Sequence, residues 1–137
     1  MREILFKAKE KDVGNWVQGY IIKISENDYR IATKDDIDYS YTSSCDYDGV
    51  MTCVDENTLC QYTGLTDKNG NKIWENDILL SDPPLIPTPQ FVVKYNKCTA
   101  SFSGIYLDYE KAFAINDEMT KYCKVVGNLF DNDVVAK

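Results

Sequence analysis

Apolar and polar positions fall into short runs along this chain, each closed by a turn-forming cluster. That pattern predicts strands joined by tight connections. Ile4-Leu5-Phe6 lies inside the charged run Glu3–Lys9, and Trp16–Ile24 (WVQGYIIKI) follows the cluster Asp12-Val13-Gly14-Asn15. Two apolar runs across a Gly-Asn turn predict a β-hairpin. Tyr29–Thr33 adds a third strand after the polar turn Ser25–Asp28, and Met51–Val54 a short fourth. Asp55-Glu56-Asn57-Thr58 reads as one helical turn capped by Asp55, with acid at its positive end.

The block Leu59–Leu79, LCQYTGLTDKNGNKIWENDIL, is the densest signal. Asp67-Lys68-Asn69-Gly70 is its turn, with Gly70 free to take a positive φ. Tyr62–Leu65 and Lys72–Trp74 are the arms, and Ile78-Leu79-Leu80 is a buried strand after Glu75-Asn76-Asp77. Phe91–Tyr95 and Thr99–Phe102 predict a second hairpin across Asn96-Lys97-Cys98. Tyr109, Ala112 and Phe113 fall on one face of a helix over Asp108–Thr120, and Tyr122–Phe130 is a closing strand. Trp16, Trp74, Tyr62 and Phe102 are expected in the core, where aromatic rings fill small β structures well. Two segments break the pattern. Lys34–Gly49 is a polar loop or ragged strand, and Asp82–Pro89, with all four prolines, is an extended surface loop. Turn signals recur about every 8–12 residues, the spacing of a small barrel or sandwich. The expected organisation is an N-terminal β region over residues 1–50 and a compact β unit over 51–137.

Composition narrows the function. A chain of 137 residues, 44% hydrophobic, can bury a core without staples. Its formal charge of −7, with only Arg2 and Arg30 as arginines, argues against binding that neutralises phosphates. Five cysteines, Cys45, Cys53, Cys60, Cys98 and Cys123, form no C-x-x-C pair, and histidine is absent. Zinc ligation at the usual spacing is therefore not expected, and the cysteines read as buried or half-buried free thiols in a reducing compartment. The opening MREILFKAKEKD lacks a signal-peptide core, and no segment approaches the ~20 apolar residues of a membrane span. A cytoplasmic protein is expected.

Candidate chemistry is sparse. Asp67 could open a calcium loop, but Gly70 is then fourth and the twelfth position is Ile78, which has no oxygen to offer. Asp35, Asp36, Asp38, Asp46 and Asp48 could surround a cation but read as a solvated acidic run. Glu75 and Asp77 share a strand face, yet they read as solvated residues at a barrel entry and not as an acid–base pair. Cys60 and Cys98 have no imidazole in the chain to activate them, and the scattered glycines form no phosphate loop. No catalytic residue, metal ligand or cofactor is assigned, and no enzyme activity is expected.

REILFKAK, WVQGY, QYTGLTDKNGNKIWENDIL and VVGNLFDN, in this order from Arg2 to Asn132, resemble the YopX-like family of phage and prophage proteins. The resemblance implies a C-terminal SH3-like small β-barrel and an N-terminal β segment that takes part in oligomer contacts. It implies no mechanism. Where that family usually has Gly, this chain has Asn76, the next most tolerant residue for left-handed backbone. A positive φ is therefore expected at Asn76.

The fold class expected is mainly β, with one or two short helical turns. The function expected is that of a non-catalytic interaction module whose partner is a host or phage protein. Tyr39, Tyr41 and Tyr47, interleaved with Ser and Asp, are the partner-contact candidates, since Tyr supplies contact area and Ser adaptable hydrogen bonds. Exposed N-terminal strand edges point to a homo-oligomer. One alternative is a nucleic-acid-associated regulator, which needs Lys68, Lys72, Lys94, Lys97 and Lys124 on one face. Another is an acidic decoy of a host DNA-binding protein, built from Asp35–Asp48.

Overall fold

A computed structural model of the chain describes residues 3–33, 51–81, 90–107 and 111–131. The chain divides into two compact units, Met1–Gln61 and Tyr62–Lys137. The boundary follows from pairing: β4 (Thr52–Val54) is hydrogen-bonded to β3 (Asp28–Ala32), so residues after 50 continue the first unit.

In the first unit β1 (Phe6–Lys9) and β2 (Trp16–Ser25) form the expected hairpin, with Ala8 opposite Val17 and Phe6 opposite Gly19. Its turn uses left-handed backbone at Asp12 (φ 75°) and Gly14 (φ 84°). β2 then pairs with β3, Ile21 opposite Ile31. Alternation sends Val17 and Ile21 inward, where they pack with Tyr29 and Leu59 on buried Ala8, Ile31 and Val54. An ideal Cβ on Gly19 would lie 2.3 Å from the Ala32 carbonyl oxygen, so only glycine lets β2 approach that backbone. β4 also returns to the end of β1 through a single bridge, Glu10 to Val54. The Lys11 amide donates to Cys53 O at 3.0 Å and the Asp55 amide to Lys9 O at 2.9 Å. Asp55 caps the 3-10 turn Glu56–Thr58 as expected, Oδ1 accepting the Asn57 amide at 3.0 Å.

β5 (Cys60–Thr66) starts against β1, Lys7 opposite Cys60, and runs on into the second unit. There it pairs with β6 (Lys72–Trp74) across the Asp67–Gly70 turn, with Gly70 at φ 83°. Five strands make the main sheet: β7 (Asp77–Ser81), β8 (Gln90–Asn96), β9 (Ser101–Tyr106), β10 (Ala112–Ala114) and β11 (Cys123–Asn128). Their order is β10-β9-β8-β7-β11, all neighbours antiparallel. Its core is Ile73, Leu79, Phe91, Val93 and Cys123, with Phe102, Phe113, Met119 and Val125 against it. Among the described residues no ladder joins β10 to β11, so the five-stranded sheet is not closed into a barrel.

Two sequence expectations are corrected here. Residues 112–120 are not one helix: 112–114 form β10, and α1 is the single turn Asp117–Thr120. The cause is Gly104, opposite Phe113 on β9. With no side chain there, the Phe113 ring packs edge-on to Phe91 at 5.0 Å between centroids. Asn116, extended at φ −150°, caps α1 by accepting the Met119 amide at 2.9 Å. Trp16 is not core: it is half-buried on the outer face of β2. Trp74 and Tyr62 are buried, 5.5 Å apart between rings, and Phe102 is half-buried on the core edge. Asp82–Pro89 lies outside the described residues.

Candidate interaction face

On β2, the positions that do not feed the core are Trp16, Gln18, Tyr20, Ile22 and Ile24. Tyr20, Ile22 and Ile24 are 44%, 38% and 49% exposed. Pairing sets Lys9 opposite Trp16 and Lys7 opposite Gln18 on β1, and Arg30 opposite Ile22 on β3. The ammonium groups of Lys7 and Lys9 lie 4.7 and 5.4 Å from the Trp16 ring centre, a cation–π arrangement that holds both beside the apolar row. Asp28 accepts from Arg30 Nε at 3.1 Å and from its NH2 nitrogen at 3.0 Å. This fork fixes the guanidinium and holds the Asp28 carboxyl below its ordinary value.

Two buried carboxylates serve the fold. Asp77 is not solvated at a barrel entry: it is 2% exposed, and its Oδ2 accepts the Trp74 amide at 2.8 Å. Between them Asn76 has φ 71°, the left-handed conformation expected. It is held by its amide to Val93 O at 2.7 Å and by its side-chain oxygen, which accepts from Lys94 Nζ at 2.6 Å. Asp67, 5% exposed, accepts the amides of Asn69, Asn71 and Val125 at 2.9, 2.8 and 3.0 Å. Burial pushes its carboxyl up, but these amides, with the Asn71 side chain, outweigh that and hold it below the usual range.

Tyr39, Tyr41, Tyr47 and the Asp35–Asp48 carboxylates lie outside the described residues. Among the described residues, no three Cys, Asp or Glu side chains gather as a metal-holding group. Lys94 and Lys124 share one face of the main sheet but are not neighbours. Lys124 is opposite Leu80 and Leu80 opposite Gln90, two rows removed from Lys94 along β8, with β7 between their strands. Lys72 instead sits over the Tyr62 ring at 5.7 Å. Cys60 and Cys123 are buried thiols; Cys53 and Cys98, expected at least half-buried, are exposed. Among the described residues no helix is long and apolar enough to cross a membrane.

The outer row of β2 was missed in the sequence, although a signal was present. WVQGYIIKI is apolar at both parities, and a strand with one packed face needs apolar residues at only one.

No curated protein matches the chain. Its fold is similar to the crystal structure of protein EF1440 from Enterococcus faecalis, with a TM-score of 0.62 over 100% of both chains at 18% identity. The pattern of the YopX protein family matches residues 5–135, nearly the whole length, and the chain belongs to that family.

Proposed function

We propose that the chain is a non-catalytic accessory protein of a phage or prophage that works in the host cytoplasm by binding another protein. The observation that carries this reading is the exposed row Tyr20, Ile22, Ile24 on a strand whose other face already supplies the core. Contiguous exposed apolar surface in a folded domain marks an interaction site. The absence of histidine supports a binding role, and so does the use of Asp67 and Asp77 as acceptors for backbone amides. Tyr39, Tyr41 and Tyr47 remain contact candidates on their composition, as does self-association through strand edges of the first unit. The second unit is read as an open relative of the SH3-like barrel.

A second reading, nucleic-acid binding, is favoured by one observation: the Trp16 ring stands beside Lys7 and Lys9 on a sheet face. A tagged pull-down from host lysate, split into nuclease-treated and untreated halves, separates the two. A protein retained after nuclease supports the interaction module, and recovery lost with nuclease moves nucleic acid to first place.

A further inference from the structure

We propose that the open edge of β2 from Tyr20 to Lys23 binds an extended peptide segment by strand addition, with apolar side chains at alternate positions. The inference deepens the interaction-module reading and rests on it.

The argument starts where one ladder stops. β1 pairs with Trp16–Gly19, and beyond Gly19 the partner of β2 is β3. Continuing the register of β1 would set Leu5 opposite Tyr20, but residues 3–5 are not strand. β1 and β3 flank β2 on opposite sides, so the side that β1 vacates is open from Tyr20 on. Among the described residues no strand, bridge or turn pairs with it. The register with β3 shifts between Lys23 and Ser25, which leaves Tyr20–Lys23 as the regular stretch. Alternate residues of an antiparallel strand turn amide and carbonyl to opposite neighbours, so half of this stretch aims them at the open side.

Those groups specify what fits. Amides and carbonyls repeating at the strand period are met by another extended polypeptide, which brings donors and acceptors at the same spacing. Phosphates supply acceptors alone and would leave the edge carbonyls unmet. Beside the edge, Tyr20 and Ile22 stand exposed two residues apart, and side chains at alternate positions of an added strand would lie against them. A second copy of the chain is the weaker occupant. It would bring a further charge of −7 to the contact. A ladder this short also falls well below the ~1,200 Å² that stable interfaces bury. A linear segment brings no such bulk and can lie along the edge and the apolar pair together.

The test begins with amide hydrogen exchange of the full chain by NMR. Amides from Tyr20 to Lys23 should alternate, those bonded to β3 slow and those between them at least tenfold faster. Absence of alternation overturns the proposal. Uniform protection that persists on dilution means that the chain itself fills the edge, and protection lost on dilution means that a second copy does. Peptides are then selected on the full chain from a random displayed library. Binders with apolar residues at alternate positions, which protect the fast amides, are expected. Methylating every second backbone nitrogen of a synthetic copy should weaken binding more than tenfold in one phase and little in the other. The Tyr20→Ser/Ile22→Ser variant should bind the peptide about tenfold more weakly, with circular dichroism checking its fold. The proposal is overturned if both methylation phases weaken binding equally, or if the selected peptides leave the fast amides unprotected. A lysate protein that survives nuclease and binds parent and variant equally would leave the interaction-module reading standing and remove this edge from it.

Discussion

The Asp67 carboxylate accepts the backbone amide of Val125 at 3.0 Å, across 58 residues of chain. Next to it the Lys68 amide donates to Cys123 O at 2.9 Å. The Asp67–Gly70 turn thus lies along the edge of β11 that β7 leaves unpaired, and it takes the place of a further strand. Edge strands expose amides that recruit other chains. Here a turn fixed by its own aspartate covers them.

Replacing Asp67 with Asn should show that the charge matters. Asn keeps the shape but has one accepting oxygen, so its NH2 group faces a backbone donor. A loss of about 2 kcal/mol at neutral pH is expected from weakened charge-assisted bonds. The folded carboxyl is held below its ordinary value, so its contribution is present above the unfolded value of ~3.9 and is lost as pH falls through the lower folded value. Urea unfolding at pH 7 and at successively lower pH should show parent and Asp67→Asn converging in acid. A constant gap would remove the electrostatic account.

The turn itself was legible in the sequence because Asp, Asn and Gly at fixed offsets state a turn chemistry locally. The Asp67–Val125 bond was not, because nothing near either residue indicates a partner 58 positions away. The stretch after residue 111 was misread for a related reason. Ala112 and Phe113 suit a helical stripe as well as a strand, and only the space over Gly104 on a neighbouring strand selects the strand. In WVQGYIIKI only Trp16 of the outward row was expected in the core, and apolar residues at both parities look the same whether the second face meets a core or water. The residues proposed from composition, Tyr39, Tyr41 and Tyr47, fall outside the described structure.

Asn76 should tolerate Gly and reject Ala. At φ 71°, Ala pays roughly 1–2 kcal/mol for left-handed backbone and forfeits the Lys94 bond, so a total near 2 kcal/mol is expected. Gly removes the strain but loses the same bond and frees the unfolded chain, leaving a change within about 1 kcal/mol. Chemical denaturation of both variants checks the order; equal losses would mean that the side-chain bond, and not φ, sets the choice.

Two glycines should differ in what alanine does. At Gly104 a Cβ would sit 2.4 Å from the Phe113 ring and 2.7 Å from the Phe91 ring, so Gly104→Ala must push core aromatics apart. Overpacking of this kind costs about 1–3 kcal/mol. At Gly70 nothing lies within 4 Å and only the φ of 83° is at issue, so Gly70→Ala should cost about 1 kcal/mol. Near-ultraviolet circular dichroism separates the mechanisms: it should change for Gly104→Ala and stay as in the parent for Gly70→Ala.

Thiol reactivity should split the cysteines by position. In a Cys45→Ser background, Cys53 and Cys98 are exposed and should react with a disulfide reagent within the mixing phase. Cys60 is buried with its thiol on Thr58 O at 3.3 Å, and Cys123 with its thiol on Met119 O at 3.4 Å. Burial pushes the Cys123 thiol up, and the nearby Asp67 charge adds to this, so less thiolate is available at any given pH. Cys60 and Cys123 should therefore react only as fast as the protein opens, and both should become fast in urea. Asp67→Asn should speed Cys123 more than Cys60, because it removes the charge that raises the first thiol and also releases the turn lying against β11. Equal acceleration of the two would place the effect in general loosening and not in that contact.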